Sequence, residues 1–219
     1  RRRGGEHRRR ALAQADPALR AKVAKTYGQL PLRFEPNRGQ TDPQVNYLSR
    51  GHGYQIFLTP KETVLSLRKP AVGSPQSAAR TPDVLRMKLA GANQSLALEG
   101  DEKLPGISNY FIGKDPGKWR TNIPNYRRVV AKQVYPGVDL VYYGQGRQLE
   151  YDFIVAPGAN PGSIRFALET GDTKRETADW KVESNGDLIV ALDGGDVRFH
   201  KPVVYQEPSA VGGNRRWIE

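Results

Sequence analysis

Short runs in which apolar and polar residues alternate, each closed off by Gly or Pro, limit what this chain can fold into more than any other feature. "VNYLSR" (45–50), "YQIFLT" (54–59) and "TVLSLRK" (63–69) are separated only by "GHG" and "PKE". A period of two places every second side chain on the same face of a strand, the pattern of a half-buried sheet. Runs joined so briefly fit a β-meander. Further strands are expected at 84–91, 95–100, 108–112, 126–134, 138–143 and 148–155, then at 163–169, 180–183, 187–192, 196–200 and 203–206. Asn185-Gly186 and "DGGD" (193–196) tolerate the positive φ that tight hairpin turns demand. The expected class is all-β, an antiparallel β-sandwich of about a dozen short strands.

The front of the chain departs from this pattern. Leu19, Val23 and Tyr27 recur at helical spacing behind Asp16-Pro17, a cap followed by a proline at the first helical position, and Gly28 can end the helix. One short helix is expected within 17–29, behind a disordered basic arm over 1–16. The β-sandwich domain then covers 30–208. "AVGSPQSAARTPD" (71–83) reads as a linker inside it, and 209–219 as the start of a downstream segment.

Charge is unevenly placed. Residues 1–33 hold ten of the 34 Lys and Arg against two of the 23 acids, and so carry +8 of the net +11. The body is close to neutral, which argues against the fold itself as a nucleic-acid binder and assigns non-specific polyanion binding to the arm. No cysteine is present, which excludes disulfides, thiolate metal sites and a cysteine nucleophile in this chain. No apolar run approaches the roughly 20 residues that a membrane-spanning helix needs. No signal-type apolar segment follows "RRRGGEHRRR", so the sequence is expected to begin after any targeting segment, or to lack one.

Two groups of residues offer chemistry. In "RQLEYDFIV", Glu150 and Asp152 share the strand face opposite Leu149, Tyr151 and Phe153. Carboxylates two residues apart on a strand sit roughly 7 Å from each other, near the separation inverting glycosidases use. Asp139 can join them across a hairpin. A carbohydrate-active enzyme using Glu150, Asp152 and Asp139 is therefore the alternative reading. The simpler one is the wet face of a half-buried strand, since alternation alone puts acids outward. The second group lies in "NYFIGKDPGKWRTNIPNYRR". There Tyr110, Trp119 and Tyr126 can stack on sugar rings while Lys118, Arg120, Arg127 and Arg128 hold anionic groups. Against this stands a reading in which Tyr110, Phe111 and Trp119 are core. His7, His52 and His200 show no metal-ligand spacing, and neither a nucleophile elbow nor a phosphate-binding glycine loop occurs, so no cofactor or metal is expected.

The landmarks "LPLRFEPNRGQTDPQVNYLSRGHGYQIFLTPKETVLSLR", "LPGISNYFIGKDPGKWRTNIPNY", "VYPGVDLVYYGQGRQLEYDFIVAPGANP" and "GGDVRFHKPVVYQE", in that order, resemble the N-terminal domain of bacterial SBBP (β-propeller repeat) surface proteins. The resemblance runs over about 27–207. It implies an exported, extracellular or cell-surface protein with repeat domains downstream in the same polypeptide, and supplies no catalytic residue set. Taken with the residues, it leads to the expectation of a non-enzymatic structural or adhesion module that binds anionic envelope or matrix polysaccharide.

Overall fold

The computed structural model describes residues 32–51, 53–68, 81–145, 148–171, 179–206 and 216–218. The helix expected within 17–29, the basic arm and most of the linker at 71–83 lie outside the described residues. The remainder is all-β and antiparallel, as the alternation demands. Its strands are β1 (Phe34–Pro36), β2 (Tyr47–Arg50), β3 (Tyr54–Leu58), β4 (Glu62–Leu67), β5 (Asp83–Leu89), β6 (Leu98–Tyr110), β7 (Arg120–Tyr135), β8 (Val138–Gln145) and β9 (Gln148–Val155). After them come β10 (Phe166–Thr170), β11 (Asp179–Val182), β12 (Leu188–Ala191), β13 (Val197–Phe199), β14 (Val204–Gln206) and β15 (Arg216–Ile218). The main sheet runs β10-β5-β4-β3-β2-β1-β7-β8-β9, with β6 added beside β7.

Two compact units are distinguished, residues 1–65 with 87–167 and residues 66–86 with 168–219. In the first, the meander β1 to β4 is built from the expected turns. Gly51 N–H bonds Tyr54 C=O at 3.0 Å with Gly53 at φ 87°, and Thr59 closes on Glu62 at 3.0 Å. Two differences from the sequence reading stand out. The strands expected at 95–100 and 108–112 are one strand, β6, which passes Pro105-Gly106 as an irregularity rather than a turn. The partner β7 starts at Arg120, six residues earlier than expected, and holds Pro124 inside it. Pro124 lies opposite Ile107, where the register shifts, so its missing N–H falls where the ladder is already broken.

The sheet curls like half a barrel, so that its own flanks face each other across the core in the manner of a sandwich. One hydrogen bond demonstrates the curl. Thr63 Oγ1 on β4 donates to Tyr142 Oη on β8 at 2.8 Å, although β3, β2, β1 and β7 lie between these strands in the sheet. Five strand spacings on a flat sheet are roughly 24 Å. The concave face holds the core: Phe34, Ile56, Leu58, Val129, Val134, Val138 and Leu140 are buried there, and Leu149, Tyr151 and Phe153 of β9 pack against them. Each such side chain contributes about 1.5–3 kcal/mol on burial. Close packing also fixes Gly100, where a Cβ would come 2.6 Å from the Tyr126 ring.

The second unit carries the sheet β11-β12-β13 and the ribbon β14-β15. Both hairpin turns expected here are present, with Gly186 at φ 90° and Gly195 at φ 134°. Asp187 ties the β11–β12 turn to β13. It accepts the Lys201 N–H at 2.9 Å and meets Arg198 Nη1 at 3.0 Å and His200 Nδ1 at 3.2 Å. The Lys201 N–H foremost, then Arg198, pull its carboxyl down to about 2.

Candidate functional site

The three carboxylates of the enzymatic reading come together on one face. Asp139 of β8 lies opposite Ile154, and Tyr143 lies opposite Glu150, so the odd positions of β8 share a side with Glu150 and Asp152. This is the side away from the core, because the intervening Leu149, Tyr151 and Phe153 pack inward. Each of two acids has a local partner. Tyr143 Oη donates to the Asp152 carboxylate, 3.2 Å from either oxygen. Asp139 accepts from Lys132 Nζ and from the Gln133 N–H, both at 2.8 Å. The Lys132 ammonium, more than the backbone N–H, holds the Asp139 carboxyl below its ordinary value. A glycosidase general acid needs the opposite shift. A pocket whose lining includes Thr63, Met87, Leu89, Tyr142, Tyr151 and Phe166 is not lined by any of the three carboxylates.

The aromatic-basic stretch is divided by the geometry of β7. Tyr110, Lys118, Trp119 and Arg120 gather where β6 and β7 join. Tyr126 lies six residues along β7, roughly 20 Å away at strand rise. There its ring covers Gly100 and meets Tyr47 edge-on at 6.2 Å, while Tyr47 Oη accepts the Gly100 N–H at 2.8 Å. Arg127 and Arg128 are both drawn to Glu102, at 3.2 and 2.7 Å. These last three residues belong to the packing of the hairpin stem; the first four form its end.

That end is built locally. Asp115 Oδ1 accepts the Gly117 N–H at 2.9 Å and caps a single 3-10 turn, Pro116–Lys118. Trp119 then folds back: its Nε1 donates to Gly113 C=O at 3.3 Å, and its ring meets Phe111 edge-on at 5.2 Å. The Arg120 guanidinium lies against Gly39 and reaches the carbonyls of Trp119 and Gly117 at 3.2 and 3.4 Å. The reading of Phe111 as core is overturned. Phe111 is 63% exposed, Ile112 65% and Ile107 54%. Asp115 is occupied with its turn, and among the described residues no carboxylate pairs with Lys114, Lys118 or Arg120. The hairpin end therefore presents together apolar side chains and cations that no described carboxylate compensates.

Beneath it lies a polar cluster that the sequence reading missed. Glu35 of β1 is only 5% exposed, and Asn125, its neighbour on β7, is buried as well. Ser108 Oγ donates to Glu35 Oε1 at 2.8 Å, and Tyr110 Oη donates to Glu35 Oε2. Arg50 Nη1 donates to Tyr110 Oη at 2.5 Å, with its guanidinium carbon 4.7 Å above the Tyr110 ring. Asn125 Nδ2 caps the Gly106 carbonyl freed by the irregularity in β6, at 3.1 Å. Burial first, and then the bond to Glu35, push the Tyr110 hydroxyl up to about 12. A charged acceptor with two hydroxyl donors is a strong fastening, and it pins the distal part of β6 over β1. "RFEPN" gave no sign of this, since a lone Glu between Phe and Pro has no periodicity to read. The adjacent Phe111-Ile112 before "GKDPGK" was a readable signal: two large apolar residues beside a turn have little core to enter.

No curated protein and no solved structure matches this chain. A family model does, that of a domain of unknown function, DUF7948, over residues 34–219. The match begins at the first residue of β1 and reaches into both compact units, so the curled sheet, the long β6–β7 hairpin and the Asp187-centred sheet all fall within it. The chain belongs to the DUF7948 family.

Proposed function

We propose that this chain is a non-enzymatic structural and adhesive module of a bacterial cell-surface protein, and that it holds anionic envelope material through the end of the β6–β7 hairpin. One observation carries the reading. Lys114, Lys118 and Arg120 stand beside exposed Phe111, Ile112 and half-buried Trp119, and no described carboxylate pairs with these cations. Unpaired cations next to apolar surface attract an anionic partner and add area for it to bury. The resemblance to SBBP surface proteins supports an extracellular place and further repeat domains in the same polypeptide. The outward, locally engaged Asp139 and Asp152 support a role without hydrolysis.

The test is binding of the intact chain to immobilised polygalacturonate and to phosphatidylglycerol vesicles, with dextran and phosphatidylcholine as neutral controls. It is run at about 50 and 200 mM salt, since attraction between exposed charges is screened over about a Debye length. Salt-sensitive binding to an anionic surface that K114A/K118A weakens is expected. Binding unchanged in that variant, and abolished by replacing Arg1, Arg2, Arg3, Arg8, Arg9 and Arg10 with serine, would assign the attraction to the basic leader and sink the proposal.

A further inference from the structure

The composition of the hairpin end discriminates among anionic partners. We infer that it docks on a lipid bilayer: Phe111 and Ile112 enter the interface of an anionic membrane while Lys114 and Lys118 contact its phosphate headgroups. This rests on the adhesive reading above and names the partner.

Three observations favour lipid over polysaccharide. Two large apolar side chains of the loop, a phenylalanine and an isoleucine in succession, are exposed at 63% and 65%, and a branched aliphatic chain offers no flat face for a sugar ring. The indole best placed to stack is engaged internally, with its N–H on Gly113 C=O and its ring against Phe111. The cations follow the apolar pair closely in the chain, Lys114 two residues beyond Ile112 and Lys118 one turn later, so headgroup contact and insertion fall at one place. Exposed apolar side chains with a rim of Lys and Arg, and an aromatic ring at the boundary, suit the interface of an anionic bilayer. The fastening beneath serves the same end. Glu35, Ser108 and Tyr110 fix distal β6 to the sheet, so the loop is presented on a held strand.

The experiment is flotation of the full chain with vesicles of 30% phosphatidylglycerol in phosphatidylcholine and with phosphatidylcholine alone. It is done in a background where the six arginines of residues 1–10 are serine, so that the leader supplies no attraction. F111S/I112S keeps every cation and replaces two side chains that are mostly exposed, giving up only the edge contact of Phe111 with Trp119. The expected result is a loss of vesicle binding by about tenfold or more per apolar side chain removed, with polygalacturonate binding unchanged. K114A/K118A should weaken both. With Trp180 and Trp217 replaced by phenylalanine, Trp119 emission should shift to the blue on the anionic vesicles only. Vesicle binding undiminished in F111S/I112S would overturn the inference. Binding to polygalacturonate without binding to vesicles would overturn it too, while leaving the adhesive reading standing. Binding to neither would remove both.

Discussion

The bond between Thr63 and Tyr142 allows the curl of the sheet to be tested without a structure. Its two ends lie on β4 and β8, separated by four strands in the sheet, and both side chains are buried. Tyr142→Phe removes the acceptor and leaves the Thr63 hydroxyl facing apolar neighbours. Thr63→Val does the converse to the Tyr142 hydroxyl. A buried polar group deprived of its partner costs about 1–3 kcal/mol, whereas replacing both partners with apolar groups of like shape is nearly neutral. The two single variants should each lose about 1–3 kcal/mol, and the double variant should recover most of one loss. A coupling of about 1 kcal/mol or more is therefore expected. Hydrogen exchange of peptides around Thr63 and Tyr142, both in the first unit, measures it under increasing urea. If the two losses add within about 0.5 kcal/mol, the residues do not touch, and the account of the curled sheet fails.

Gly100→Ala should cost about 1–3 kcal/mol through overpacking, because the new methyl would fall 2.6–2.8 Å from Tyr126 ring atoms; the urea midpoint should recover in a Tyr126→Ala background, and no recovery would place the strain elsewhere. Tyr110→Phe removes the hydroxyl that Glu35 and Arg50 share, and a lost bond to a charged group is worth about 1.5–3 kcal/mol; an unchanged melting temperature would mean that the fastening contributes nothing. Asp187 is pulled down from its ordinary 3.8 to about 2, so the unfolded chain takes up the proton more readily than the folded one. Its stabilisation is full above the unfolded value and is lost as pH falls through about 2. The stability gap between wild type and Asp187→Asn should hold from pH 7 to about 5 and shrink between pH 4 and 2; a gap constant down to pH 2 would refute the assignment.

What could be read in the sequence divides along physical lines. Period-two alternation is local, so the strand class, the meander and the turns at Gly53, Gly186 and Gly195 were all legible before any coordinates. Pro105-Gly106 lies in the gap left between the strands expected at 95–100 and 108–112, and such a pair usually marks a turn. Inside β6 it instead makes a break in the ladder, which Pro124 meets from the other side and Asn125 repairs by bonding the Gly106 carbonyl. Nothing within a few residues of Pro105 announces Asn125. The curl escaped for the same reason, since Thr63 and Tyr142 are far apart in sequence and each reads as an ordinary strand residue.

The hairpin end shows how a correct composition can still give a wrong grouping. Seven residues read as one surface because they lie within twenty positions of one another. A strand advances about 3.3 Å per residue, however, so β7 carries Tyr126 and its neighbours far from Trp119. Glu102, at a positive φ of 52°, then draws both Arg127 and Arg128 to the hairpin stem. The side chains left at the end are the ones the loop cannot bury. A turn of nine residues between two long strands encloses too little volume to cover Phe111, Ile112 and Trp119 at once, and only Trp119 is partly sheltered. The fold gains nothing by keeping two large apolar residues so exposed beside lysines, since polar residues would close the same turn. Their exposure therefore weighs toward contact with another surface rather than toward stability of this one.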